Sequence, residues 1–239
     1  MITSVDETIA ALKLLQHAVT AEPLLALDTE TYASGLPAPP ALVAEDLAFT
    51  DPYTNKVRLV QLQGRYTEPF LFDLKQMPAE AVEQLAAFLN QDSVTWVAHN
   101  AKFDYKMLKV NLGVELKQVY DTMTAGYLMG YATGMSARKA GGLGLKDLAR
   151  DLLGVTDIDK TEQQSYWGGE LTASQIDYAA KDVAYLIPLY DLFVQVFDEE
   201  YQCSKAVDLE MRAMPAVAQM ELNGIALDVA MYRLVQRCA

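Results

Sequence analysis

The sequence has 239 residues, of which 51% are hydrophobic and 21% are charged. This composition is typical of a globular protein with a buried core and excludes a disordered or fibrous chain. The formal net charge of −13 argues against a protein that grips long stretches of duplex nucleic acid, because phosphate neutralisation needs clustered Lys and Arg. Any contact with nucleic acid is therefore expected to be short or assisted by a partner.

Nothing in the sequence pattern favours secretion or membrane insertion. The N-terminal segment carries acids where a secretory signal carries basic residues, and the longest uncharged run, residues 122–137, is interrupted by glycines and polar groups. The two cysteines, Cys203 and Cys238, are too few for a secreted disulfide framework. We therefore expect a soluble protein of the cytoplasm or another reducing intracellular compartment, with no membrane contact.

The first half of the chain alternates helical and strand patterns. Apolar spacing predicts a helix over residues 6–19 and a strand over residues 24–31. The segment between Tyr32 and Lys56 is rich in Pro and polar turn residues and is predicted to be a long loop. The same criteria predict further strands at 56–62, 69–74 and 94–100 and helices at 79–89 and 101–110.

After Tyr120 the pattern is mainly helical. Thr172, with Gln175 three residues later, predicts a capping box that opens a helix over residues 173–187. Pro188 is expected to end or kink that helix, because proline lacks the backbone N–H that the helix needs.

Two carboxylates, Asp28 and Glu30, lie at the end of the predicted strand at 24–31. Residues i and i+2 of a strand project from the same face, about 6.5–7 Å apart. Two like charges at the edge of an apolar sheet repel each other and lose hydration, which is costly unless a cation lies between them. Oxygen ligands of this kind suit Mg²⁺ or Mn²⁺. By itself, the pair is also consistent with two solvated acids at a strand end.

Two predicted helices carry further acids with a polar neighbour one turn away. Asn100 and Asp104 are four residues apart where a strand runs into a helix, and Tyr178 and Asp182 are four residues apart on a later helix. Each acid lies among apolar residues, which is unusual for a solvated position. Taken singly, each is also consistent with an ordinary exposed helix residue.

In order, spacing and element type, these residues resemble the three exonuclease motifs of the DEDD 3′–5′ exonuclease superfamily, in its tyrosine-containing branch. The resemblance covers roughly residues 1–200 and extends to the phrases VRLVQL, DTMTAGYLM, LKDLARDLLG and SYWGGELTASQIDYAAKDV. The sister branch has a histidine five residues before the last aspartate, where this chain has Asp177. The resemblance implies an RNase H-like α/β fold, with a central mixed β-sheet flanked by helices and a helical C-terminal tail.

The resemblance also implies a reaction with two divalent cations, Mg²⁺ or Mn²⁺, held by the four acids. Asp28 would bridge both ions, Glu30 and Asp182 would complete the site of the ion that carries the nucleophile, and Asp104 would hold the second ion through water. Tyr178 would orient the attacking water. The implied reaction releases nucleoside 5′-monophosphates from the 3′ end of a single strand.

Contacts with the substrate are implied by the same resemblance. Asn100 matches a family position that touches the terminal nucleotides, and Leu36 would be an apolar wedge between the last two bases. Lys102 would meet a phosphate. Tyr166 and Trp167 are candidates for base stacking or for structural positions.

Residues 1–203 are expected to form the exonuclease domain and residues 204–239 a helical tail with a helix stop at Gly224. The tail phrase LEMRAMPAVAQMELNGIALD resembles the segment that joins the exonuclease to the polymerase in family A DNA polymerases. A linked or associated polymerase module is therefore an expected partner, beside the 3′ end of DNA or RNA.

Three functions are consistent with the sequence. The leading interpretation is a DNA-directed 3′–5′ exonuclease that proofreads single-stranded or frayed 3′ ends. An RNA-trimming enzyme similar to ribonuclease D is a close alternative, because these motifs do not report the sugar. A catalytically silent scaffold module is the third, although all four acids and the tyrosine are present.

Overall fold

The computed structural model describes residues 1–35, 50–133, 142–156, 161–200, 202–226, 228 and 233. Most of the segment predicted as a long loop therefore lies outside the described residues, and so does Leu36, the predicted apolar wedge. No helix within the described ranges is both long and apolar enough to cross a membrane.

A five-stranded mixed sheet lies at the centre of the described structure. Its strands are β1 (Leu24–Ala33), β2 (Asn55–Gln63), β3 (Phe70–Asp73), β4 (Thr95–Ala98) and β5 (Gln118–Asp121). In the spatial order β3-β2-β1-β4-β5, β2 is antiparallel to β1 and β3, whereas β4 is parallel to β1 and β5. The mixed sheet predicted from the sequence is confirmed.

Helices flank both faces of this sheet. The α-helices of the described residues are α1 (Val5–Ala21), α2 (Ala79–Leu89), α3 (Ala101–Leu112), α4 (Thr122–Thr133), α5 (Leu145–Leu153), α6 (Ala173–Ala184), α7 (Leu186–Gln195) and α8 (Ser204–Asn223). A 3₁₀ turn spans Thr161–Gln164, and a π-helical turn spans Val196–Glu200.

The two faces of the sheet bury different helical layers. On one face, Leu25 and Leu27 of β1 pack in a core with α1, α2 and α3. On the other face, Leu24 and Ala26 pack in a core with α4, α5, α6 and α7. Because alternate residues of a strand project from opposite faces, the parity of a position in β1 decides which layer its side chain meets.

Two local predictions are wrong. The sequence pattern predicts no strand at β5, because four residues give too short an alternation to separate a strand from the start of the helix that follows. β1 and β2 also extend into the predicted loop, where Tyr32 pairs with Lys56 and Ala33 pairs with Asn55. These polar residues continue a ladder whose apolar part is buried, and this context outweighs their turn preference.

The helix signals at α6 are confirmed. Thr172 and Gln175 form the predicted capping box, in which each side chain accepts a hydrogen bond from the other residue's backbone N–H. α6 ends at Ala184 and α7 begins at Leu186, so Pro188 lies in the first turn of α7. The missing N–H costs little there, because the first turn of a helix has no intrahelical acceptors for its N–H groups.

α8 packs against the structure that precedes it. Val207 and Met211 are buried in the core shared with α7, and Ala218 is buried in the core on the opposite face. The helix ends before Gly224, whose φ of 64° suits a glycine helix stop. The domain boundary at residue 203 stays a prediction.

Candidate active site

The first two candidate acids continue one row of β1. Leu24 and Ala26 are buried against the helical layer formed by α4 to α7. Asp28 and Glu30 follow at the same two-residue spacing, project from the same face and are half-buried. The structure thus brings these two predicted residues together beyond the apolar part of the row.

Asp182 of α6 completes a group of three acids. Carboxylate oxygens of Asp28, Glu30 and Asp182 all lie within 4.8 Å of one another. α6 packs across β1 and β2, and Ala179 and Val183 are buried on the side of the helix that carries Asp182. Two elements that are distant in the chain therefore contribute one acidic cluster.

Asp104 reaches the end of β1 from the opposite helical layer. It is buried in the first turn of α3, and its Oδ1 accepts a hydrogen bond of 2.6 Å from Thr29 Oγ1. Thr29 lies between Asp28 and Glu30 in the strand and projects from the opposite face. Asp104 is therefore fixed beside the three-acid group, on the far side of the strand.

Burial raises the pKa values of three of these acids, and repulsion by neighbouring carboxylates raises those of Glu30 and Asp104 further. Burial raises the pKa of Asp28 to about 6, against the opposing effect of the positive charge on Lys146. Burial, followed by the charges of Asp28 and Asp104, raises the pKa of Glu30 well above its usual value. Burial and the charge of Asp28 likewise raise the pKa of Asp104. The acids therefore resist being ionised together unless positive charge is supplied.

The donor set fits a divalent cation such as Mg²⁺. Three converging carboxylates offer only oxygen ligands, which hard cations prefer. Gln61 lies opposite Asp28 in β2, so the two side chains project from the same face of the sheet. The buried amide oxygen and nitrogen of Gln61 find no hydrogen-bond partner among the described residues. Such buried polar atoms often mark the place of a water or an ion.

Tyr178 lies one turn before Asp182 and is buried. Its ring packs against the ring of Trp167, with the two centroids 6.3 Å apart. Because Trp167 is only 4% exposed, it belongs to the core and is not free to stack on a base. Tyr166, the other stacking candidate, is exposed.

Sequence reasoning misses Lys146 of α5 as a residue of this site. The side chain of Lys146 is buried, and its Nζ donates a hydrogen bond to Asp182 Oδ1. The same Nζ lies 4.3 Å from the centroid of the Tyr178 ring. A signal is present in the sequence, because Lys146 lies three residues before the buried Ala149, on the apolar side of the helix, where a lysine is expected only if it is paired.

Two of the predicted substrate contacts line one cleft of about 490 Å³. Asn100 precedes α3 with a φ of 56°, which is uncommon for a residue other than glycine, and its backbone N–H donates to Asp121 Oδ1. Its side chain is exposed. Lys102 is already paired, since its Nζ lies 2.6 Å from Glu221 Oε1 of α8.

Comparison with protein families decides the assignment. A family model described as 3′–5′ exonuclease matches residues 41–198. The chain belongs to the 3′–5′ exonuclease family. The match includes the second and third acidic motifs and begins after Asp28 and Glu30, so the structure is what connects the first motif of this exonuclease to the other two.

Similar proteins include both a DNA polymerase and a ribonuclease. The exonuclease is 30% identical to DNA polymerase I of Aquifex aeolicus, over 75% of this chain and 32% of the polymerase. A solved structure of Escherichia coli RNase D, described as an exoribonuclease involved in structured RNA processing, aligns with a TM-score of 0.67 at 25% identity, over 92% of this chain and 50% of that chain. The chain thus spans about a third of the polymerase and half of the ribonuclease.

A third similar protein carries a metal ion in its solved structure. Brucella melitensis NrnC with bound Mg²⁺ aligns with a TM-score of 0.66 at 24% identity, over 84% of this chain and 86% of that chain. The family match and the likeness to DNA polymerase I and RNase D confirm the assignment to the DEDD superfamily and the RNase H-like fold. The exonuclease is accordingly a nuclease of the hydrolase class.

Proposed function

We propose that this exonuclease removes nucleoside 5′-monophosphates, one at a time, from the 3′ end of single-stranded or frayed DNA. The observation that carries the proposal is the convergence of Asp28, Glu30 and Asp182 within 4.8 Å, beside the buried side chains of Asp104 and Tyr178. A group of this kind is costly by itself and matches the oxygen-rich sites that hold Mg²⁺ or Mn²⁺.

The four acids are the proposed ligands of two divalent cations. Asp28 lies near Glu30 and Asp182 and near Asp104, so it would help to hold both ions. Glu30 and Asp182 would help to hold one of them, and Asp104 would help to hold the other. When bound, the cations supply a more acidic water and offset the negative charge of the scissile phosphate.

The remaining side chains position the reactants. Tyr178 orients the attacking water with its hydroxyl, and Trp167 and Lys146 hold the tyrosine ring. The water oxygen bonds to phosphorus, the bond from phosphorus to the 3′ oxygen of the preceding nucleotide breaks, and that oxygen accepts a proton. Asn100 contacts the terminal nucleotide. Lys102 contacts a phosphate only after it leaves Glu221, since the two are ion-paired.

Two observations support DNA as the substrate. The likeness to DNA polymerase I extends over 75% of this chain. The polymerase-like tail phrase lies largely in α8, which packs directly on α3, the helix that carries Asp104. A net charge of −13 disfavours extended contacts with the phosphates of duplex DNA, and a polymerase module in the same chain or in a complex would supply them. Such a module would also deliver a mismatched primer end to the site.

Trimming of RNA is the second candidate function. The likeness to Escherichia coli RNase D over 92% of this chain supports it. The acidic cluster serves both candidates equally, because it acts on the phosphate and not on the sugar. Direct comparison of the two sugars is therefore the decisive test.

The test is a gel assay of the purified protein with Mg²⁺ or Mn²⁺ on 3′-mismatched primer–template DNA, single-stranded DNA and single-stranded RNA. Stepwise shortening of DNA, fastest at the mismatch and abolished by EDTA, is the expected result. Asp28→Ala should abolish it. Asp177→Ala is the matched control, since Asp177 is an exposed acid of α6 that pairs with Lys181 and should leave the rate unchanged.

A preference for RNA would overturn the DNA part of the proposal and favour the ribonuclease function. Absence of metal-dependent cleavage of any strand would contradict the proposed site and would favour the silent scaffold.

A further inference from the structure

A buried ammonium group lies within the acidic cluster. Lys146 of α5 is 6% exposed, and its Nζ donates a hydrogen bond to Asp182 Oδ1. The Nζ also lies over two aromatic rings, 4.3 Å from the centroid of Tyr178 and 5.1 Å from that of Tyr185. The charge of Lys146 is also felt by Asp28 and Glu30.

This position has a physical explanation. A buried ammonium is costly unless it is paired, and a carboxylate together with the faces of aromatic rings compensates for its lost hydration. The positive charge also stabilises the ionised form of the acids in the cluster, because it reduces the repulsion among their carboxylates. Lys146 therefore has the electrostatic role that a metal ion has in such a cluster, and it acts through a carboxylate of the same cluster.

We propose that Lys146 competes with a divalent cation for Asp182 and so sets the metal affinity of the site. In the protein alone, its ammonium holds Asp182 and Tyr178 in place. A cation that takes Asp182 Oδ1 as a ligand must replace the hydrogen bond from Nζ, and a cation at either oxygen of Asp182 must enter against the field of a buried positive charge. Lys146 is thus a positioning residue. The inference rests on the proposed function in one respect, which is that Asp182 is a metal ligand.

The experiment measures Mn²⁺ binding by isothermal titration calorimetry, with no nucleic acid present. Lys146→Met keeps the length and packing of the side chain and removes its charge. It should bind Mn²⁺ more tightly than wild type, on the order of tenfold, because a close like charge and a competing ion pair are both lost. Lys146→Arg keeps the charge and should stay within about threefold of wild type.

Lys181→Met is the matched control. Lys181 lies beside Asp182 in the chain but is 40% exposed and pairs with Asp177. The substitution changes the net charge equally, so an unchanged Mn²⁺ affinity would exclude a general charge effect. Lys146→Gln, which is neutral but still donates a hydrogen bond, is the second variant should Lys146→Met fail to fold, and it should also bind Mn²⁺ more tightly.

The outcomes separate this inference from the proposed function. If wild type binds no Mn²⁺, the proposed metal site is wrong. If wild type binds Mn²⁺ but the neutral variants bind equally or more weakly, the site stands and the competition is wrong. If Lys146→Met tightens Mn²⁺ binding as much in an Asp182→Asn background as in the wild-type background, the competition is also wrong, because the effect would then come from the field of the charge alone and not from the ion pair with Asp182.

Discussion

Two buried cation–carboxylate pairs in this exonuclease have opposite designs. In the first, Arg58 and Asp73 form a bidentate pair with distances of 2.8 and 2.9 Å. The guanidinium also donates to the backbone oxygens of Trp167 and Gly169, and Asp73 also accepts from the Gln76 side chain. Every member has its partners, and we call this the closed pair.

The second pair, Lys146 with Asp182, adjoins two further carboxylates, those of Asp28 and Glu30. We call these four residues the open cluster. Its single positive charge faces three acids, so it has a deficit that an external cation can fill. The difference teaches that burial of an ion pair does not identify a site. The balance of charge around the pair identifies a site. A pair with matched charges needs no further ion, whereas a cluster with excess negative charge attracts a cation.

Replacing one acid of the open cluster should give the largest effect. Asp182→Asn is expected to lower kcat/KM on single-stranded DNA by about 10³-fold or more, since several kcal/mol of transition-state stabilisation depend on the ions that this carboxylate holds. The fold should persist, which circular dichroism checks. Asp177→Asn, on the same helix, should retain the wild-type rate. If kcat/KM of Asp182→Asn falls only slightly, the open cluster is not the catalytic site.

Breaking the closed pair should affect stability and leave the chemistry intact. Arg58→Met leaves Asp73 charged and buried, so the free energy of unfolding should fall by about 3–5 kcal/mol, measured by urea denaturation. Mn²⁺ should not restore it. Arg65→Met is the control, because Arg65 pairs with Glu22 and Asp191 in a partly exposed position and should cost about 1 kcal/mol or less. Equal losses in the two variants would contradict the distinction.

Tyr178 tests whether the open cluster positions water as well as metal. Tyr178→Phe removes the hydroxyl and keeps the ring that packs against Trp167, so kcat should fall by about 10²-fold while Mn²⁺ affinity stays at the wild-type value. Tyr105→Phe, which removes a hydroxyl that contacts Glu115 at 3.3 Å, should change neither quantity. A parallel fall in Mn²⁺ affinity at Tyr178 would assign the tyrosine to metal binding.

The acids of the open cluster could be predicted from the sequence because each lies in a regular element. The two-residue period of a strand places Asp28 beside Glu30, and the four-residue period of a helix places Tyr178 beside Asp182. That strand and helix meet because both carry apolar rows that need burial. The contact between this strand and this helix is predicted by the resemblance to the exonuclease family, because periodicity alone does not fix which elements pack together.

Lys146 and Gln61 are harder to predict. The spacing of Lys146 from Ala149 indicates a paired lysine on the apolar side of α5, but its partner depends on how α5 packs, and Gln61 lies in an apolar strand with no chemical signature of its own. β5 is not predicted either, because it is a four-residue segment whose strand character depends on long-range pairing with β4. In each case the deciding information is tertiary.

His99 shows a third way to bury a polar group, which is to keep it neutral. Burial lowers the pKa of His99 to about 4, against the opposing effect of the Leu143 backbone, and its Nδ1 lies 3.0 Å from Thr122 Oγ1. An unfolded histidine binds a proton near pH 6.5. Stability from this group is therefore complete above pH 6.5 and is lost as the pH falls towards 4.

The consequence can be measured by urea denaturation in EDTA. Between pH 7.5 and pH 5, wild type should lose about 2 kcal/mol more unfolding free energy than His99→Asn, because only the wild-type unfolded chain gains that proton. His17, the second of the two histidines, is exposed, and His17→Asn should keep the wild-type loss. If His99→Asn shows the wild-type loss too, then the loss belongs to other groups, and the neutral state of His99 is not what stabilises this end of β4.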